Sequence, residues 1–180
     1  MTVSKRILLV LTILISCVGC DQTTKSVAKA YLSETQAMPL LGGGVRLQVT
    51  KNYGAFLSLG ASMSPTLRLG LLSIGVAAVL IGLLALLFLS KRVNPIVAAA
   101  IALIVGGGLS NLINRLEYGG YVVDFINLGV GPVRTGIFNI ADVSIMFGVL
   151  MLAFGERLWQ RGTNKAFRGR SKTRAAERQR

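Results

Sequence analysis

The sequence predicts an all-α polytopic membrane protein, with four transmembrane helices and a small β-structure on the outer face of the membrane. Three observations predict it. The 180-residue chain is 52% hydrophobic, with mean hydropathy +0.62. Its apolar residues fall into long uncharged runs, the pattern of segments solvated by hydrocarbon. The basic residues that give a net charge of +13 cluster at Lys5–Arg6, at Lys91–Arg92 and in the last 24 positions. With four spans all three clusters lie on one side, which the Lys/Arg bias of membrane proteins makes cytoplasmic, with both termini inside.

The first span starts near Ile7. Its uncharged run ends at Cys20, too short for a bilayer, which needs about 20 helical residues. The helix is therefore expected to continue past Asp21 toward Leu32. Lys5–Arg6 and the apolar run together resemble a secretory signal, and Cys17-Val18-Gly19-Cys20 resembles a lipobox with Cys20 as acceptor. Three further hydrophobic segments follow, so an uncleaved first helix is expected. The second span is 69–89. The third runs from Pro95 to about Ile113, with proline suited to the first helical turn. The fourth runs from Ile137 to about Leu158.

Two loops then face outward, 33–68 and 114–136. Val45-Arg46-Leu47-Gln48-Val49-Thr50 alternates apolar and polar, as a strand does, after the turn signal Gly42-Gly43-Gly44. Tyr121 to Leu128 is also rich in β-formers. Residues 1–160 read as one membrane domain and 161–180 as a basic cytoplasmic tail. The tail has a single aromatic, Phe167, for base stacking. Anionic lipid headgroups are its expected partner, and no nucleic acid is expected.

Cys17 and Cys20 have C-x-x-C spacing, but they sit in an apolar helical run, where free cysteine behaves as a small hydrophobe. The chain has no histidine and too few thiols for a structural zinc site, so neither metal nor cofactor is expected.

Only seven residues are acidic, and two of them, Asp124 and Asp142, lie in apolar surroundings: Val122-Val123-Asp124-Phe125-Ile126 and Phe138-Asn139-Ile140-Ala141-Asp142. A carboxylate in or near hydrocarbon is costly and points to function. Two brought together cannot both ionise, so the pair holds one proton and can act as base and acid. Asp21 and Lys25 share a helical face at i,i+4, as an ion pair at the membrane boundary or as part of a site. Asn111, Asn114 and Arg115 share a face beyond Gly106-Gly107-Gly108, a run that lets a neighbouring helix or a substrate come close. Asn139 and Asp142 sit where the fourth helix begins, and Asp142 alone could be no more than a helix cap. All these groups map to one outer level of the membrane.

In order along the chain come Asp21-Gln22-Thr23-Thr24-Lys25, Asn52-Tyr53-Gly54-Ala55-Phe56, Gly107-Gly108-Leu109-Ser110-Asn111-Leu112-Ile113-Asn114-Arg115, Val122-Val123-Asp124-Phe125 and Phe138-Asn139-Ile140-Ala141-Asp142. From Lys5 to Trp159 the sequence resembles the bacterial prolipoprotein signal peptidases, or signal peptidase II. The resemblance implies an aspartic endopeptidase of the bacterial inner membrane, expected as a monomer, with its site facing the periplasm. Its substrates would be lipid-modified prolipoproteins, cut just before the diacylglyceryl-bearing cysteine. Asp124 and Asp142 would be the catalytic dyad. Asn52, Asn111, Arg115 and Asn139 would hold substrate, and Asp21, Lys25, Gly54 and Asn114 would support the site. Two positions depart from the family pattern: Asn114 stands where an aspartate is usual, and the Gly54–Phe56 interval is one residue short.

A proton-coupled carrier using the two aspartates is the alternative from another class. Such sites usually lie near the midplane in broken or repeated helices, and no repeat is visible here. Topology gives the first test. Reporters fused after Arg92 and after Arg180 are expected to read cytoplasmic, and one within 40–45 external. An external carboxyl terminus would overturn the four-span arrangement.

Overall fold

The computed structural model describes residues 1–55, 60, 62–90 and 93–155. Phe56, Lys91–Arg92 and the basic tail lie outside the described residues. Four helices and a four-stranded antiparallel sheet account for most of the rest: α1 Val3–Tyr31, α2 Pro65–Leu89, α3 Pro95–Glu117 and α4 Ile140–Gly155, with β1 Met38–Leu40, β2 Val45–Asn52, β3 Val122–Val130 and β4 Val133–Arg134. Among the described residues, α1, α2 and α3 are long and apolar enough to cross a membrane, while α4 is a shorter apolar helix.

As the sequence predicts, α1 runs through Asp21 and Lys25, and it does so as 29 unbroken residues. The first turn of α2 passes at Leu69–Gly75 into a π-helical stretch before α-geometry resumes. Asn94 caps α3 by accepting the Ile96 amide at 2.8 Å, with Pro95 at the first helical position. The helix then runs a turn further than expected, so Asn114 and Arg115 project from regular helix. α4 begins three residues later than expected, because Asn139 takes the capping position.

Helix α3 is the centre of the assembly. Of its apolar window 56% is buried inside the protein, against 17% for α1 and for α2. Val10, Leu80, Leu87, Ile101 and Val105 form the main apolar cluster between α1, α2 and α3. The triple glycine explains how three helices reach one axis. A Cβ at Gly106 would lie 2.8 Å from Cys17 of α1, and one at Gly108 would lie 2.7 Å from Leu80 of α2. A Cβ at Gly107 would run into the Ala141 backbone of α4. Without a hydrophobic driving force between helices in lipid, such backbone-close packing is the main source of association. Outward-facing Ile15, Ile74, Ile81 and Phe147 remain exposed, as a lipid-facing surface requires.

Arg6, which the sequence marks only as a topological charge, is 3% exposed. Its guanidinium donates to the carbonyls of Leu87 and Ser90 at 2.7 and 2.8 Å, filling the open acceptors at the end of α2.

The sheet order is β1-β2-β3-β4. The predicted strand at Val45 extends two residues beyond Thr50, to Asn52, and the short β1 and β4 were not expected. The glycine run turns the chain, with Gly42 and Gly43 at φ 65° and 86°. β3 pairs antiparallel with β2, and Val123 and Phe125 pack with Val49 and with Ala28 of α1, joining sheet to bundle.

Gly107→Val should be strongly damaging, because the atom its Cβ meets is backbone and cannot rotate away. Overpacking of this kind costs about 1–3 kcal/mol. The variant is expected to unfold at lower denaturant in detergent than Gly82→Val, whose added Cβ meets nothing within 4 Å.

Candidate active site

Asp124 and Asp142 meet where β3, α3 and the start of α4 converge, at 1% and 6% exposure. Strand register brings Asn52 to Asp124. Thr50 pairs with Asp124, and Asn52, two residues along β2, lies on the same face. Ile126 bridges Phe138, so the chain enters α4 alongside β3 and presents Asn139 next to Asp124.

Each carboxylate oxygen accepts one hydrogen bond from a neutral group. Asn52 Nδ2 donates to Asp124 Oδ2 at 2.7 Å, and Asn139 Nδ2 to Asp124 Oδ1 at 2.6 Å. Asn111 Nδ2 donates to Asp142 Oδ1 at 3.0 Å, and the Asn139 amide to Asp142 Oδ2 at 3.2 Å. The three asparagines cannot turn over without loss, because each side-chain oxygen has an obligatory donor opposite it. Asn52 Oδ1 accepts the Gly54 amide at 2.8 Å. Asn139 Oδ1 accepts the Asp142 amide at 2.9 Å, which makes the pair a reciprocal capping box. Asn111 Oδ1 accepts Lys25 Nζ at 2.9 Å, and an ammonium can only donate.

Lys25 is in turn fixed by Asp21 at 2.7 Å, so the ion pair of α1 is real. It does more than neutralise itself. Asp21 also accepts Ser110 Oγ at 2.7 Å and the Ala141 amide at 2.8 Å, tying α1 to α3 and to the first turn of α4. Arg115 donates to the Gly54 carbonyl at 2.7 Å, while its Nε is buried without a hydrogen-bond partner among the described residues.

Asn114 belongs to the same helical turn but not to the dyad. It donates to Gln22 Oε1 at 3.0 Å and accepts the Val123 amide at 3.5 Å, bracing β3 against α1 from behind. Gln22 passes the contact on, donating to Ser110 Oγ at 2.9 Å. Sequence reasoning gave no role to Gln22 or Ser110. The signal was available for Ser110, which stands four residues before Asn114 on one face of α3.

Burial raises the Asp124 carboxyl to about 7, and the Asp142 carboxylate adds to the rise. The amides of Asn52 and Asn139 and the charge of Lys25 oppose it. Asp142 opens on a cavity of about 370 Å³, lined also by Asn111 and Arg115 on its polar side and by Leu72, Val76 and Ile145 on its apolar side, while Asp124 lies outside this lining. Among the described residues no group of three or more His, Cys, Asp or Glu could hold a metal. What the cavity offers a bound molecule is the Asp142 carboxyl with the polar groups of Asn111 and Arg115, beside a hydrocarbon wall.

Asn139 combines two functions that substitution separates. Asn139→Ser keeps an oxygen for the helix cap and loses the donor to Asp124. Asn139→Ala loses both and is expected to cost at least about 1 kcal/mol more than serine, the usual worth of a cap. Chemical denaturation in one detergent checks the order, and equal losses would show that the cap contributes nothing.

The signal peptidase (SPase) II family matches residues 13–156. The lipoprotein signal peptidase of Moorella thermoacetica is 34% identical over 134 residues, covering 74% of this chain and 83% of that protein. The lipoprotein signal peptidase of Paraburkholderia phymatum is 36% identical over 147 residues, covering 79% and 83%. A bacterial membrane enzyme solved by the in meso method at 2.3 Å superposes with a TM-score of 0.69 at 26% identity, covering 92% of this chain and 93% of that one. A second, solved at 1.9 Å, gives 0.65 at 25% identity, with 86% and 94% covered. With its aspartates, asparagines and Lys25 drawn into one buried network within the matched region, the chain belongs to the signal peptidase II family.

Proposed function

We propose that this chain is a membrane-embedded aspartic endopeptidase, which removes the signal peptide from diacylglyceryl-modified prolipoproteins just before the lipid-bearing cysteine. Membership of the signal peptidase II family supports the cleavage reaction. The observation that supports the aspartic chemistry is the pair of buried carboxyls held by one asparagine, Asn139.

Peptide hydrolysis needs an activated water and a proton for the carbonyl oxygen and then the leaving amine. Asp124, neutral up to about pH 7, is the acid. Ionised Asp142, on the cavity wall, is the base that takes a proton from water. The water adds to the scissile carbonyl while Asp124 protonates the oxygen. The proton held by Asp142 then goes to the departing nitrogen. Asp124 meanwhile takes a proton back from a hydroxyl of the tetrahedral intermediate, so the carbonyl re-forms as the C–N bond breaks and Asp124 is again protonated. No covalent intermediate is required. Asn52, Asn111 and Asn139 hold the carboxyls, and Arg115 and Asn111 face the cavity as donors to the substrate backbone or a lipid ester. Asp21, Lys25, Gly54 and Asn114 support them.

In this reading α4 belongs to the fourth span, residues 1–160 are the membrane domain, and 161–180 are a cytoplasmic tail against anionic headgroups. The enzyme sits in the bacterial inner membrane as a monomer, with the sheet and dyad on the periplasmic side. The carrier reading finds no support in the family assignment.

Asp124→Asn and Asp142→Asn should each nearly abolish single-turnover cleavage of a diacylglyceryl-cysteine precursor without preventing its binding. The double variant should be no worse than either single one, since the two act as a unit. Wild-type cleavage should fall as pH rises through about 7, where Asp124 loses the proton it must donate. Near-wild-type turnover in either single variant would end the aspartic reading.

A further inference from the structure

Three cavities lie in sequence along α2 and α3. The innermost, about 410 Å³, is apolar and lined by Leu71, Val79, Leu80 and Ile104. It shares Val76, Gly108 and Ile145 with the dyad cavity, so the two adjoin. The outermost, about 300 Å³, is lined by Tyr53, Thr66, Arg68, Ser73 and the Gly119–Gly120 turn beyond α3. Along α2 the order is 65–73, then 72 and 76, then 71–80. Along α3 it is 119–120, then 111–115, then 104–108.

The outer cavity differs in chemistry from the other two. Arg68 is the one charged side chain among its described lining residues, and its guanidinium lies 5.1 Å from the centre of the Tyr53 ring. Wall and dyad are mechanically joined. Tyr53 lines the outer cavity and Ala55 the dyad cavity. Gly54 between them is pinned by Asn52 through its amide and by Arg115 through its carbonyl. One residue of chain, the strap held at Gly54, thus stands between the dyad cavity and a cationic, aromatic-walled recess.

On the proposed peptidase reading, the acyl chains of the substrate belong in the apolar cavity, and the scissile bond lies at the dyad. The geometry points to the outer cavity as the subsite for the first two residues after the lipid-bearing cysteine, with Arg68 selecting an acidic side chain there. Arg68 is a specificity residue in this assignment, at the end of a substrate whose lipid is held at the other end.

The test uses the full chain in neutral detergent and diacylglyceryl-cysteine precursors carrying Asp, Asn or Lys at the first or second position after the cysteine. At one of those positions Asp should exceed Lys in kcat/KM by about threefold to tenfold, as expected for a partly screened charge pair. The preference should shrink as salt rises. Arg68→Gln should remove it and Arg68→Glu should invert it. The ratio between precursors is the readout, so a general loss of activity does not imitate the effect. Equal rates for Asp and Lys at both positions, or an Asp preference that survives Arg68→Glu, would overturn the subsite while leaving the peptidase reading intact. Failure of the wild type to cleave any precursor would overturn the peptidase reading itself.

Discussion

The structure depends on one constraint: two carboxyl groups must be buried side by side without losing their hydrogen bonds. Asn139 meets it. Its side chain donates to Asp124, its backbone donates to Asp142, and its side-chain oxygen holds the first turn of α4. One residue thus fixes a helix start, bridges two acids and sets their separation. Because the donors on the four carboxyl oxygens are neutral amides, none of them cancels the charge of the pair. Lys25 acts one residue removed, through Asn111.

This arrangement requires helices closer than ordinary side chains allow. The glycines of α3 bring Cys17, Ala141 and Leu80 from three different helices against consecutive residues. Asp21 then locks the registration, reaching Ser110 and the Ala141 amide as well as Lys25. The sheet contributes from the other side. The register that pairs Thr50 with Asp124 also places Asn52 beside it. Packing in the bundle and pairing in the sheet therefore converge on the same few atoms, and a shift of one residue in either would separate the acids from their donors.

Much of this was legible in the sequence, because hydrocarbon makes polar residues conspicuous. Asp124 and Asp142 stood out from apolar surroundings, and the i,i+4 spacing of Asp21 and Lys25 predicted their contact. The glycine run predicted close approach, though not that each glycine would serve a different helix. Less visible was anything set by tertiary register. Asn114 shares a helical turn with Arg115, yet its contacts run to Gln22 and Val123, because the side chain leaves the helix about 100° around from its neighbour. Arg6 looked like a topological marker, and only the end of α2 beside it reveals a cap. Strands β1 and β4, of three and two residues, are too short to carry a periodic signal.

The chain belongs to the signal peptidase II family, and in the aspartic chemistry proposed for it the protein contributes burial, orientation and a retained proton. The proton is the central claim. It is tested most directly by carboxyl-carbon NMR of aspartate-labelled protein, titrated in detergent, with Asp124 assigned by its loss in Asp124→Asn. The account predicts that Asp124 stays protonated through the acid range and gives up its proton near pH 7. Ionisation near the ordinary value of 3.8 would contradict it, since the pair would then carry no acid at neutral pH.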